Sequence, residues 1–292
     1  TMPGARRRLS WLGAAVLCGL LAGPAMPPDP GWALGRDQGA ARSLPSAVDP
    51  LDPSEIEAFF DEVLPAQLAE FLIPGAAVAV VQDGEVIFAR GYGLADLEQG
   101  KPVVAEETLF RTGSVAKLFT WTAVMQLVGG GQLDLDADVN DYLSGFQIPD
   151  TFPQPITLAH LMTHTAGFED GPIGMVRRSP EDLEPLGAFL GRRIPARVSP
   201  PGQVTAYSNY GTALAGHIVA QVSGVPYEQY VEEKILAPLG MDRTTFRQPV
   251  PAALAGDLAT GYVSADGAFQ PQPFEVYQIV PAGSASATAT DM

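Results

Sequence analysis

Cysteine is almost missing from this 292-residue chain, Cys18 being the single example. It lies in an N-terminal stretch that reads as a removable export signal. A cleaved chain would hold none, which excludes disulfides, thiol catalysis and any zinc site built on cysteine. Lysine is scarce as well, with three residues against fourteen arginines, and histidine occurs three times. Basic residues number 17 against 33 acidic ones, which argues against nucleic acid as a partner. The longest uncharged apolar run is too short to span a bilayer comfortably. No GxSxG sequence is present, which counts against an α/β-hydrolase nucleophile elbow.

The chain opens with Arg6-Arg7-Arg8, an apolar run over residues 11–23 and small residues that allow a cut near Ala25. This is the pattern of an export signal over residues 1–25. An uncleaved anchor is the alternative; a lipoprotein is disfavoured because Leu17 rather than a small residue precedes Cys18. Cleavage leaves 14 basic against 33 acidic residues, a formal charge of −19, the sign of a soluble exported surface and little guide to substrate. Residues 26–50, rich in Pro, Gly, Ala and Asp without periodicity, read as a flexible leader. The rest, residues 51–292, suffices for one large domain or two interleaved lobes.

Ser54-Glu55-Ile56-Glu57 reads as a capping box opening an amphipathic helix with Ile56, Phe59, Phe60, Val63, Leu64, Leu68 and Phe71 on its apolar face, kinked at Pro65. Strand-like runs at 76–81 and 85–90 flank Asp83-Gly84, a favoured hairpin turn, and Gly91-Tyr92-Gly93 is expected to close the second strand. A short strand at 109–111 follows. From there to about residue 245 the pattern is helical, with helices near 157–164, 181–192, 209–223 and 226–237 and no convincing strand between them. Residues 261–263 and 274–280 look extended. Residues 288–292 resemble a first helical turn without continuation, so the chain is read as a C-terminally incomplete fragment. Sheet followed by a block of helices predicts an α+β domain with a helical lobe at about 113–245.

Ser114 and Lys117 carry the chemistry. They are three apart at the head of a helix that is apolar nearly all round, and positions i and i+3 share one face. A lysine in such a buried helix is costly as a cation unless something pairs with it. Thirteen serines and three lysines give about 0.13 chance SxxK matches, so one match is suggestive by itself. Tyr207-Ser208-Asn209 lies in a loop entering a helix. Alone, Asn209 reads as a helix cap and Tyr207 as a half-buried aromatic; beside SxxK, the phenol can shuttle protons and the amide can grip a substrate carbonyl or side chain. His160 and His164 lack the glutamate and third ligand of a metal site, and structural roles are favoured. Asp134, Asp136 and Asp138 imitate a calcium loop, but Val139 stands where glycine is required. Gly129-Gly130-Gly131 ends a helix and is no phosphate cradle.

Taken together, Phe110-Arg111-Thr112-Gly113-Ser114-Val115-Ala116-Lys117, Leu133-Asp134-Leu135-Asp136-Ala137-Asp138-Val139, Leu158-Ala159-His160-Leu161-Met162-Thr163-His164-Thr165-Ala166-Gly167, Tyr207-Ser208-Asn209-Tyr210-Gly211, Pro238-Leu239-Gly240-Met241 and Pro281-Ala282-Gly283 resemble the serine β-lactamases and penicillin-binding proteins. The likeness is nearest to the class C β-lactamase, D-alanyl-D-alanine carboxypeptidase and esterase branch. It runs from about residue 54 to the end. It implies a β-lactamase-like fold with Ser114 as nucleophile, Lys117 as proton acceptor, Tyr207 as acid or base toward the leaving group and Asn209 as a substrate-holding amide. The Ser114 backbone N–H is expected to form half of an oxyanion hole. A Lys- or His-x-Gly triplet, the family's third element, is absent after Tyr207, and truncation is the reading given to that absence.

These features predict a periplasmic or extracellular serine hydrolase that forms an acyl-Ser114 intermediate on a D-Ala-D-Ala-type peptide, a β-lactam or a carboxylic ester. No metal or organic cofactor is expected, and a membrane only through an uncleaved signal or a missing C-terminal segment. The rival is a non-catalytic ligand-binding or sensor domain, with or without a membrane anchor.

Overall fold

The computed structural model describes residues 50–169, 171 and 174–292; the expected signal, Cys18 and nearly all of the expected leader lie outside the described residues. Helix α1 (Pro53–Glu70) starts ahead of the anticipated capping box. Asp52 is the N-cap, its carboxylate accepting from the Ser54 N–H at 2.8 Å, and Pro53 takes the first helical position, where its missing N–H costs nothing. The Ser54 hydroxyl also donates to Asp52, and these bonds hold the carboxyl below its ordinary range. The helix runs on through Pro65. None of its residues is fully buried, and Phe59 and Phe71 of the expected apolar face are exposed; Phe60 meets the sheet by stacking on Phe88 at 5.4 Å.

Strands β1 (Gly75–Gln82) and β2 (Glu85–Asp96) form the expected hairpin, Gln82 opposite Glu85. Asp83 and Gly84 both have positive φ, +52° and +84°, as a tight two-residue turn matched to strand twist requires. β2 does not close at Gly91-Tyr92-Gly93 but continues to pair with β3 (Lys101–Pro102). The reason is Gly91: a Cβ there would lie 2.0 Å from the Val103 carbonyl oxygen, so only glycine admits this close backbone approach.

After β4 (Phe110–Arg111), a single 3-10 turn (Gly113–Ala116) leads into α2 (Lys117–Gly129). Next come α3 (Leu158–Met162), β5 (Val176–Arg177), α4 (Leu186–Arg192), α5 (Asn209–Ser223) and α6 (Tyr227–Val231). A π turn (Glu232–Leu236) then joins α6 to α7 (Ala237–Leu239). The anticipated helix 209–223 is met residue for residue. That at 226–237 is broken in register by the π turn, and that at 181–192 is confined to its second half. Helix α8 (Ala252–Ala255), the hairpin β6 (Gly261–Ala265) and β7 (Ala268–Gln272), strand β8 (Val276–Tyr277), the helical turn α9 (Val280–Gly283) and β9 (Ser286–Ala287) complete the chain.

Two expectations fail here. A strand does interrupt the helical block, because β5 pairs with β8 across a hundred residues, a partnership that local sequence cannot announce. The extended reading of 274–280 also stops short, since only Val276–Tyr277 form a strand and the helical turn α9 begins at Val280. β9 pairs antiparallel with β4, Arg111 opposite Ser286, which ties the segment before Ser114 to the end of the chain.

The architecture is α+β. Its main core lies among the helices: Phe119, Ala123, Val124 and Leu127 of α2 bury against Ala213, Leu214, Ile218 and Val219 of α5 and against Phe246. α5 also packs on α3, α4 and α9. Among the described residues no helix is long and apolar enough to cross a membrane. The approach of α5 to α9 depends on Gly216, where a Cβ would sit 2.3 Å from the Pro281 ring. Gly216→Ala should therefore lower stability by about 1–3 kcal/mol through overpacking, read as a shift in urea midpoint at constant slope.

Candidate active site

Gly113, at φ +55°, turns the chain sharply from β4 into the 3-10 turn and leaves Ser114 exposed at its outer side. The turn is pinned from behind by the Thr112 N–H, which donates to the Ala285 carbonyl at 2.9 Å. Lys117, three residues on, points the other way into the protein and is only 5% exposed. The spacing works through a 3-10 turn followed by the first α-helical residue rather than through one continuous helix, and the contact survives because i and i+3 are aligned in a 3-10 turn too.

The Lys117 Nζ donates to Ser114 Oγ at 3.0 Å, to Asn209 Oδ1 at 2.8 Å and to the Ala282 carbonyl at 2.6 Å. Three acceptors match the three donors of an ammonium. No carboxylate pairs with this lysine among the described residues; its partners are a hydroxyl, an amide oxygen and a backbone carbonyl. Tyr207 Oη stands 2.8 Å from Ser114 Oγ, and Nζ lies 4.9 Å from the centroid of the Tyr207 ring. Ser114, Lys117, Tyr207 and Asn209 thus converge on one point from the 3-10 turn, α2, the loop before α5 and the first residue of α5. Tyr207 is about half exposed at 47%, so the cluster opens to solvent.

Asn209 is not the cap that its position suggested. Ser208 caps α5, its hydroxyl accepting from the Gly211 N–H at 3.0 Å, which frees the Asn209 side chain for Lys117. The Ala282 carbonyl left no side-chain signal; Pro281-Ala282-Gly283 was visible only as a family landmark. The histidines part company. His160 faces Thr157 in a capping box that starts α3, and burial together with the Arg197 charge lowers its pKa. His164 lies beyond α3 against Tyr207, ring centroids 4.5 Å apart. Asp134 accepts from the Asp136 N–H and Asp138 caps a 3-10 turn, both local turn roles.

Two further groups support the cluster. Arg111 is sandwiched between Phe274 at 4.1 Å and Tyr277 at 4.8 Å and donates to the carbonyls of Ser284 and Glu275; burial lowers its pKa against the raising effect of Tyr277 and Glu275. One turn beyond Lys117, the Thr120 hydroxyl bonds Tyr227 Oη at 2.6 Å and the Pro281 carbonyl at 2.7 Å. Burial pushes the Tyr227 phenol upward.

An α+β scaffold thus presents a solvent-facing serine hydroxyl to a buried lysine and a phenol. The chain belongs to the β-lactamase family, whose model matches residues 60–292. It is 30% identical over 238 residues to penicillin-binding protein 4 of Amycolatopsis lactamdurans, covering 77% of this chain and 57% of that one. To the esterase EstB of Burkholderia gladioli it is 33% identical over 227 residues, with 74% and 58% covered. A class C β-lactamase crystallised with cefoxitin superposes with a TM-score of 0.67 at 30% identity, covering 82% of this chain and 64% of that one. The fold is therefore β-lactamase-like. The chain spans rather more than half the length of the two curated relatives.

The Thr120 contacts yield a direct test. Thr120→Val keeps the shape but strands the Tyr227 hydroxyl and the Pro281 carbonyl, and should cost about 1–3 kcal/mol, measured by chemical denaturation.

Proposed function

We propose that the protein is an exported serine hydrolase that passes through an acyl-Ser114 intermediate. The observation that carries this reading is the double contact on Ser114 Oγ, from Lys117 Nζ at 3.0 Å and Tyr207 Oη at 2.8 Å. Both partners are proton carriers, and binding alone gives no reason to hold a buried lysine against a surface hydroxyl.

In the proposed cycle Ser114 Oγ attacks an acyl carbonyl, and its proton passes to the Lys117–Tyr207 pair, which enters one proton short of full. The negative charge that develops on the carbonyl oxygen faces the Ser114 backbone N–H. Tyr207, the more exposed of the two, returns the proton to the leaving group, and water then cleaves the acyl-serine by the same route reversed. Asn209 has its amide oxygen engaged by Lys117 and offers its amino group to the substrate. The relatives' names cover penicillin binding, β-lactam hydrolysis and ester hydrolysis, so the proposed substrates are D-Ala-D-Ala-type peptides, β-lactams or carboxylic esters, one acyl-transfer mechanism serving all three.

Intact-mass labelling with a fluorophosphonate and with a penicillin tests the reading. The wild type should gain one adduct and Ser114→Ala none; equal labelling of that variant refutes the nucleophile, and reversible binding without an adduct or turnover establishes the non-catalytic ligand-binding reading instead. Tyr207→Phe and Lys117→Ala should each slow acylation by about 10²–10⁴-fold, measured as the second-order labelling rate.

A further inference from the structure

We propose that His164 is a positioning residue for Tyr207, a clamp that fixes the phenol over Ser114; the proposal rests on the catalytic role assigned to Tyr207 above. His164 holds three consecutive residues of the loop at once. Its carbonyl accepts from the Ala206 N–H at 2.7 Å. Its ring lies against the Tyr207 ring at a tilt of 37° with centroids 4.5 Å apart. Its Nδ1 accepts from the Ser208 N–H at 3.2 Å, so the proton of the neutral ring sits on Nε2.

Such a three-point grip demands an unusual backbone. His164 has φ +55°, the left-handed region that few residues other than glycine, asparagine, aspartate and histidine enter. This conformation follows directly on the end of α3, where the His164 N–H still donates to the Leu161 carbonyl at 3.2 Å. It lets carbonyl and ring face the same loop. Trp121 of α2 stands edge-on behind the ring, centroids 6.2 Å apart, so the clamp is braced by the helix that also carries Lys117.

The arrangement answers a problem the site poses. Tyr207 is half exposed, in a loop without regular structure, yet its hydroxyl must stay within hydrogen-bonding distance of Ser114. A displacement of about 1 Å in such a group is enough to cost on the order of a hundredfold in rate. His164 supplies the restraint and makes no contact with the reacting atoms.

The test compares single and double variants by fluorophosphonate labelling rate and by melting temperature. His164→Ala should slow labelling at least about tenfold, whereas in a Tyr207→Phe background the same change should slow it by less than about twofold, because the clamp acts only through that phenol. His164→Asn keeps an acceptor where Nδ1 stood and tolerates the left-handed backbone, so it should recover labelling to within about threefold of wild type. Additive losses in the double variant, or an Asn variant as slow as Ala, overturn the proposal. A crystal structure of His164→Ala decides the clamp without any activity. Tyr207 Oη withdrawn from Ser114 supports it, and an unchanged 2.8 Å contact overturns it even if the wild type never labels, an outcome that would sink only the hydrolase reading.

Discussion

A buried lysine that no carboxylate pairs with among the described residues organises this molecule. Lys117 has left water, and a charge that does so must be compensated or the fold suffers. The compensation comes from three neutral oxygens: a serine hydroxyl, an asparagine amide and a backbone carbonyl. Each charge-assisted bond is stronger than its neutral counterpart, but none cancels the charge. A lysine paired with a carboxylate would be electrostatically satisfied. This one continues to favour negative charge on any oxygen it touches, and one of those oxygens belongs to the exposed Ser114.

Holding three acceptors on one nitrogen dictates much of the tertiary structure around it. Ser114 arrives on a turn made by Gly113, Asn209 on the first residue of α5, and Ala282 on α9, so pieces separated by up to 165 residues must close to within about 3 Å. Small residues allow that closure: Gly216 lets α5 approach Pro281, and an added methyl would push away the segment that bears the Ala282 carbonyl. Arg111 and Thr120 secure the same segment from two sides, one through the Ser284 and Glu275 carbonyls, the other through Pro281. Packing and chemistry use the same contacts here, so the site has the rigidity of the core on the lysine side. On the tyrosine side it rests on a loop, held by the grip of a single left-handed residue. The two halves of the site thus differ in what restrains them.

What was legible beforehand follows the range of the interactions concerned. Asp83-Gly84 announced its hairpin because positive φ at two adjacent positions is a local demand, and α5 was found to the residue because an apolar stripe between Ser208 and Gly224 has only one helical reading. The start of α1 was misjudged by two residues, since Pro53 and Asp52 compete with Ser54 for the same terminus. β2 outran its expected end because two glycines read as a stop when Gly91 serves as an opening for Val103 and Gly93 for Pro74. The pairing of β5 with β8 was invisible, two residues on each side carrying no pattern of their own. The spacing of His160 and His164 suits a metal pair, against which the missing glutamate and third ligand favour structural roles, and the fold separates the two by ending α3 between them.

The sequence by itself determined that a serine and a lysine three apart would meet, because 3-10 and α geometry both align such positions and an apolar helix must be buried. It also carried enough ordered landmarks to point to the family. Only the tertiary structure decided that the lysine would find its second and third acceptors on Asn209 and Ala282, that Ser208 rather than Asn209 would cap α5, and that His164 would hold the loop of Tyr207. Those outcomes depend on how distant segments pack, and a carbonyl oxygen leaves no trace in the identity of a side chain.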